Sequence, residues 1–511
     1  MLNISLLALT LCGDILVQPF RIAEAEPGHH QGCLRAAMAS DGHFAVAWLD
    51  SLRVDYPPFR ELELFVRFFD QDGNPLTDAY KITKTVDTNW IGGSHLDMDS
   101  AGNTVLLWTE YARMEPNDDL LRLQLFDPSG NPLGSPQTEH QGYMCIDRAI
   151  GVSLNNQAEF AVAWDREGTI CARRYSFEGG PQGDSFVVHG DLPDVSCHHP
   201  GVALNDAGDL VVTWRERGPS LSLPRFQVFD AEDEPILPWE PMGHLVNEDS
   251  SRGTRVEPYW LDNDRFVLFW IDKVWPWHVA GRVFADRGLT RYPIRRLVHD
   301  SLAGTWADPA GRFTVALSSD ERFAETHTRD HYDYPDGELR CWEHGAGILG
   351  YIQDNEPIRR TNLFEYTPPL GEDTINSIIN NWPHVQFPAV GVCDDRIVWV
   401  YSRFNTDTIF EAFVMITDWD MGIGVVEQPI VEKPPNWEVI TSIGPQIVLR
   451  YQDSPDGFRA SIFDATGRKV DEIESPAQNG VLTWGEKQGP GVYFIVPQGA
   501  QTPPLKVILL K

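Results

Sequence analysis

Residues 205–214 read NDAGDLVVTW, a tight-turn sequence running straight into an apolar strand that ends on a large aromatic, Trp214. The phrase recurs: SDGHFAVAW ends at Trp48, SAGNTVLLW at Trp108 and NQAEFAVAW at Trp164. Asp, Asn and Gly are the residues that turns need, because they bond their own backbone or take a left-handed conformation. The β-branched and aromatic residues behind them suit a strand. A self-similar unit of about fifty residues built from short strands predicts a ring of similar β-sheets.

Working outward from that stretch, the unit runs from Pro200 to Asn247. GVALN (201–205) predicts a first strand, LVVTW (210–214) a second, RFQVFD (225–230) a third, and HLVN (244–247) the end of a fourth. Four short antiparallel strands joined by hairpins make one propeller blade. Counting six residues on from the turn carries the anchor from Gly42 to Trp48, Gly102 to Trp108, Ala158 to Trp164, Gly208 to Trp214 and Asp264 to Trp270. Degenerate copies run from Gly311 to Leu317 and from Asp395 to Tyr401. A second signature keeps the same phase at the turn into the fourth strand: Phe69-Asp70 to Gly73, Phe126-Asp127 to Gly130, Tyr175-Ser176 to Gly179, Phe229-Asp230 to Asp233 and Phe284-Ala285 to Gly288. Seven anchors predict an all-β fold, a seven-bladed β-propeller over residues 14–421, with the tryptophans packed between blades.

ILVQPFRI (15–22) resembles a fourth strand with no first three before it, while the last blade offers strands near 387–392, 397–401 and 410–417. The N-terminal strand is therefore expected to complete the last blade and cover its exposed edges. Residues 1–13, MLNISLLALTLCG, form a signal-like segment, and cleavage is expected near Gly13, since a cut at Ala23-Glu24-Ala25 would delete the closing strand. The 84 residues from Leu317 to Tyr401 predict an insertion at about 319–380.

The chain has 511 residues, 17 Trp, 42 Gly, 37 Pro and a formal net charge of −33. Such an acidic surface repels phosphate backbones and anionic lipid heads, which argues against nucleic acid as a partner. No apolar run is long enough for a transmembrane helix. Seven cysteines without a CxxC pair argue against a zinc ribbon and leave the disulfide pairing open.

After Met421 the text changes. Residues 422–435 read as a linker, and 436–511 as a small β-sandwich with terminal strand LKVILLK. Asp464, Gly467 and Arg468 of the DATGR turn, Trp484-Gly485, Gly491 and Tyr493 of GVY, and an apolar tail ending in Lys511 form its pattern. This pattern resembles the C-terminal sorting domain of type IX secretion cargo, which is similar to the immunoglobulin-like domain of flagellar hook-cap proteins. Pro434 to Trp437 stands where that family opens on Pro-Asn-Pro. The resemblance implies a secreted or outer-surface protein of a Gram-negative-type bacterium, with the secretion machinery as one partner.

Just after the anchors stand Asp50, Glu110, Asp165, Glu216 and Asp272, with Arg403 at the matching place in the seventh copy. A partial ring of acids on the axial face would suit Ca²⁺ or a cationic ligand, and otherwise forms a solvated rim; no other cofactor is predicted. His29, His30, His95, His140, His198, His199, His299 and His384 fall in the loops before first strands, either as a convergent metal cluster or as a habit of the repeat. His327, Asp330, His331 and Asp333 have metal-like chemistry without a familiar spacing. The Asp-Gly turns hint at calcium loops but lack the following Glu. No GxSxG elbow or HExxH helix occurs, and no spacing selects a catalytic acid pair. The expectation is a non-catalytic binding or adhesion protein that recognises extracellular glycan or protein. The alternatives are a secreted glycoside hydrolase or lyase, and a structural surface protein.

Overall fold

The computed structural model describes residues 15–52, 61–86, 89–112, 119–144, 150–178, 180–190, 195–217, 222–238, 240, 243–246, 253–272, 278–296, 308–333, 340–352, 361–365, 388–404, 410–419, 437–441, 443–451, 458–464, 468–477, 479–497 and 505–510. The signal-like segment 1–13 and the linker 422–435 lie outside them. The chain divides into two compact units, Met1–Gly424 and Val425–Lys511. Both are all-β, and no α-helix occurs among the described residues. None of the described helices is long and apolar enough to cross a membrane.

The described residues of the first unit form seven successive antiparallel sheets. The first consists of His29–Met38, Phe44–Leu52, Glu61–Phe69 and Tyr80–Val86, paired in that order. The second follows the same plan over 89–141, the third over 150–187, the fourth over 196–245, the fifth over 253–296 and the sixth over 308–365. The seventh takes Ala389–Val392, Ile397–Phe404 and Phe410–Thr417 from late in the chain and Ile15–Arg21 from its start. Ile15 lies opposite Thr417 and Arg21 opposite Phe413. Ile22 N–H continues the pairing to the Ala412 carbonyl at 3.1 Å.

The repeat phrase explains the plan locally. Gly42, Gly102 and Gly208 sit at φ +89°, +94° and +87° in the turns between first and second strands, where an L side chain is strained. In the second, third and fourth sheets an Asp or Asn opens the turn and folds back onto it: Asn205 Oδ1 accepts from the N–H groups of Ala207 and Asp209, Asn155 Oδ1 from those of Gln157 and Glu159, and Asp99 Oδ1 from those of Ala101 and Asn103. The Asp-Gly turns further along the first and second sheets behave likewise, with Asp70 accepting from Asp72 and Asn74, and Asp127 from Ser129 and Asn131. Burial would raise the Asp70 carboxyl, but these bonds outweigh it and hold the group below the usual carboxylate range. Those oxygens serve the turn, which accounts for the calcium-like spelling.

Each second strand then buries its anchor against the preceding sheet. Trp108 packs with Ala37 and Phe68 of the first, Trp164 with Val105 and Leu123 of the second, Trp214 with Ala161 and Ile170 of the third, and Trp270 with Val211 and Phe226 of the fourth. Trp48 packs with Val398 and Val414 of the seventh sheet. All five are at most 2% exposed. The two degenerate anchors require correction. Gly311 and Leu317 lie in the inner strand Asp308–Leu317 of the sixth sheet, and its second strand begins only at Arg322, after a turn in which Glu321 takes φ +64°. In the seventh sheet the fully buried indole is Trp399, which packs with Ala324 and donates to Thr417 Oγ1 at 3.0 Å, whereas Tyr401 is half-buried. The expected insertion at 319–380 is likewise in large part sheet: Arg322–Asp333, Arg340–Tyr351 and Thr361–Glu365 are the remaining strands of the sixth.

Hydrogen bonds near the inner strands join each sheet to the next. Arg35 Nε donates to the Ser94 carbonyl at 2.6 Å, and Leu154 N–H to Asp97 Oδ2 at 2.7 Å. Leu204 N–H donates to Ser153 Oγ at 3.1 Å, and Trp260 Nε1 to the Ala203 carbonyl at 3.0 Å. Tyr259 donates to the Val315 carbonyl at 2.6 Å and Thr314 Oγ1 to that of Pro388 at 3.3 Å. Ser402 Oγ then donates to the Gln31 carbonyl at 2.9 Å, linking the seventh sheet to the first.

Asp97 makes one of these junctions sensitive to pH. The residue keeps some exposure, but its carboxyl is enclosed, and burial pushes it up to about 7 against the pull of the Leu154 and Met98 N–H groups. Because the folded value lies above the unfolded one, the native state holds this proton more tightly. Stability is therefore lost as pH rises from about 4 through about 7. Asp97→Asn is expected to match the parent near pH 4 and to exceed it in Tm above pH 7, measured by thermal unfolding across that range. Equal Tm differences at both ends would refute this assignment.

The second unit is a two-sheet sandwich. Trp437–Thr441, Ile447–Tyr451 and Gly480–Trp484 form one sheet, and Ile443–Gly444, Leu505–Leu509, Gly491–Pro497, Phe458–Asp464 and Lys469–Ser475 form the other. Leu449, Ile462, Trp484, Ile495 and Leu509 lie in its core. Trp484 meets Tyr493 edge-on at 5.0 Å and donates from Nε1 to Asp471 at 2.9 Å. Gly485 sits at φ +113°, where a Cβ would come within 2.4 Å of Leu509 Cδ1. Arg468 Nε pairs with Asp464 Oδ2 at 3.1 Å, and Gly491 opens the strand that carries Tyr493. Gly467 and Lys511 lie outside the described residues.

Candidate functional site

The carboxylates after the anchors close their second strands, and the four whose side chains are described do not form a ring of open oxygens. Asp50 is buried, with Oδ1 2.5 Å from His29 Nδ1, and burial pushes its carboxyl up. Glu110 accepts from Trp108 Nε1 at 2.9 Å and from Thr83 Oγ1 at 3.0 Å. Glu216 is buried and receives Arg225 Nε at 2.7 Å. Asp165 is wholly buried, accepting from Gly168 N–H at 2.8 Å and lying 2.6 Å from His198 Nδ1. For Asp272 only the backbone is described, at the end of its strand opposite Gly253 and His278. Buried carboxylates need donors, and each of these four has its own. No group of three or more His, Cys, Asp or Glu placed to hold a metal occurs among the described residues.

The histidines also disperse. His29 belongs to Asp50 and His198 to Asp165, while the His140 ring lies 6.2 Å from that of Trp164, where burial lowers its basicity. His299 and His384 lie outside the described residues, and the side chains of His327, Asp330, His331 and Asp333 are not described. Cys33, Cys171, Cys197 and Cys393 are buried, and burial pushes the Cys197 thiol up to about 12, so it is not a nucleophile near neutral pH.

One arrangement at the junction of the third and fourth sheets was not anticipated from sequence. Arg166 pairs with Thr169 around a two-residue hairpin, Glu167 at φ +56° and Gly168 at φ +81°, which places Asp165 beside the inner strand of the fourth sheet. In that strand His198 Nε2 lies 2.9 Å from Ser196 Oγ. Asp165, His198 and Ser196 therefore form a continuous hydrogen-bonded series, with the acid fully buried and the serine half-buried. A bulge follows, in which His199 takes φ +54° before the regular pairing resumes at Gly201. The signal in the sequence is the Ser-x-His spacing on a strand, which puts both side chains on one face. The acid comes from another sheet, so no spacing could have found it.

No known protein family and no curated protein matches the chain. Solved structures do. A protein of unknown function from Dyadobacter fermentans is 10% identical, with 78% of this chain and 99% of that one covered at a TM-score of 0.42. The β-propeller domain of the Trilobed protease from Pyrococcus furiosus is 10% identical over 76% and 95% of the two chains, at 0.38. An ulvan lyase, a polysaccharide lyase, is 8% identical over 76% and 94%, at 0.43.

Proposed function

We propose that the first unit is a seven-bladed β-propeller closed by its N-terminal strand, and that it recognises glycan or protein outside the cell. The observation that carries the reading is the run of inter-sheet hydrogen bonds that returns from Ser402 to Gln31, so that successive sheets share neighbours as blades around one axis do. The four described acids that follow the anchors do not stand free: Asp50, Glu110, Asp165 and Glu216 are each engaged by a partner of their own. Recognition without cleavage of glycosidic bonds fits that arrangement better than hydrolase or lyase chemistry on a sugar.

The second unit is, in this proposal, the sorting domain that carries the propeller through a type IX apparatus to the surface or medium of a Gram-negative-type bacterium. Its sandwich, with the Trp484–Tyr493 contact and the constrained Gly485, supports the role. A chain lacking residues 436–511, expressed in a bacterium with that apparatus, is expected to accumulate in the periplasm while the full chain reaches the surface. Equal export of both would overturn the assignment. Binding of the full chain to a glycan and extracellular-protein array tests the propeller's role, and an absence of any saturable partner would count against it.

A further inference from the structure

We propose that Ser196, His198 and Asp165 form a nucleophilic relay that cleaves carboxylic esters bearing a nearby negative charge, an activity beyond recognition. A carboxylate can only accept, so the 2.6 Å contact with Asp165 places the ring proton on Nδ1 of neutral His198. That leaves Nε2 unprotonated, 2.9 Å from Ser196 Oγ, to take the hydroxyl proton. An acid orienting a base that faces a hydroxyl is the arrangement that turns serine into a nucleophile. The acid's other oxygen is fixed by Gly168 N–H at 2.8 Å, and Gly168 packs so tightly on Ser196 that a Cβ would lie 3.0 Å from the serine's own.

A second acid–histidine pair in the same unit lacks this continuation. His29 has Nδ1 on Asp50, but its Nε2 lies 3.8 Å from Glu26, another carboxylate. Charge supplies the substrate class. Directly across the strand pair, Arg217 is opposite Ser196 and Arg215 opposite His198, and residues so paired project from one face. Two arginines at these register positions, in a chain of net charge −33, favour an anionic substrate.

In the reaction, Ser196 Oγ adds to the acyl carbon as its proton passes to His198 Nε2. The ester C–O bond breaks and the alcohol departs with that proton. Water then adds to the acyl carbon, giving a proton to His198, which returns it to Ser196 Oγ as the carboxylic acid leaves. Asp165 is a positioning residue throughout.

The test uses the full chain, a fluorophosphonate probe and two p-nitrophenyl esters, the neutral acetate and the anionic succinate. The expected result is an adduct mapped to Ser196, at least 100-fold slower labelling of Ser196→Ala, and a higher kcat/KM for the succinate. Arg217→Gln is expected to lower kcat/KM about ten-fold more for the succinate than for the acetate. Ser196→Cys keeps a nucleophile of similar size and is expected to transfer labelling to a thiol reagent at that position. An unlabelled wild-type chain, or labelling and turnover that persist in Ser196→Ala, would overturn the proposal. So would a Ser196→Cys thiol no more reactive than an ordinary one. These readouts do not involve glycan or protein binding, so failure here leaves the recognition role standing.

Discussion

Trp214→Ala is expected to lower the unfolding free energy of the first unit by about 3–5 kcal/mol, read from the denaturant midpoint at unchanged slope. The indole is fully buried between the third and fourth sheets, beside Ala161, Ala163, Ile170 and Val212. Gly243 lies against it so closely that a Cβ there would be 2.4 Å from the ring. Deleting the ring removes its burial energy and leaves a cavity that flanking strands cannot close without giving up their ladders. Set against a total stability of about 5–15 kcal/mol for a folded domain, this single change removes at least about a fifth of it. A loss below about 1 kcal/mol would show that the sheets do not depend on their indoles for contact.

Removal of residues 1–22 is expected to have an effect of comparable size and a different character. The strand Phe410–Thr417 is buried at every position, and Ile15–Arg21 is its outer neighbour. Without that neighbour its free backbone groups form an exposed edge, a template for pairing with another chain. Phe20 also leaves Phe69, Arg67 loses the Ile22 carbonyl and Glu411 loses Arg21. The truncated chain is expected to self-associate in light scattering and to unfold at lower denaturant. A peptide of residues 15–22 added in trans should restore the monomer, because strand addition supplies the missing hydrogen bonds. A truncated chain that stays monomeric with an unchanged midpoint would refute this.

Much of the first unit was legible because its signal is local. A turn with Asn or Asp at its start and a left-handed residue near its end leaves a spelling, which Asp99 with Gly102, Asn155 with Ala158 and Asn205 with Gly208 carry in full, and five second strands hold a tryptophan at a constant offset from the turn. The sixth copy was misread because Glu321 takes the left-handed position that glycine fills elsewhere, so the nearest glycine, Gly311, drew the count into the neighbouring strand. Ala158 does the same in the third sheet at φ +57°, but there the strand behind it is unmistakable. The seventh anchor was displaced by two residues, which keeps the same face of the strand, so Trp399 could replace Tyr401 without disturbing the pattern.

The candidate site was less legible for the opposite reason. Asp50, Glu110, Asp165 and Glu216 were found by position, but whether a carboxylate is open or engaged depends on side chains that the fold brings in from elsewhere. His29 is 21 residues from Asp50, and His198 is 33 from Asp165. Composition suggested a solvated rim because the chain is acidic everywhere. The structure instead buries three of these four and gives each at least one donor.

The pairing of Ile15 with Thr417 has a consequence for biogenesis. A ribosome delivers the first of these segments some four hundred residues before the second, so the opening segment waits unsatisfied through nearly the whole of synthesis. The penalty for joining such distant points grows only logarithmically with separation, but it must be met before any contact rewards it. Completion of the seventh sheet is thereby deferred to a late, single event.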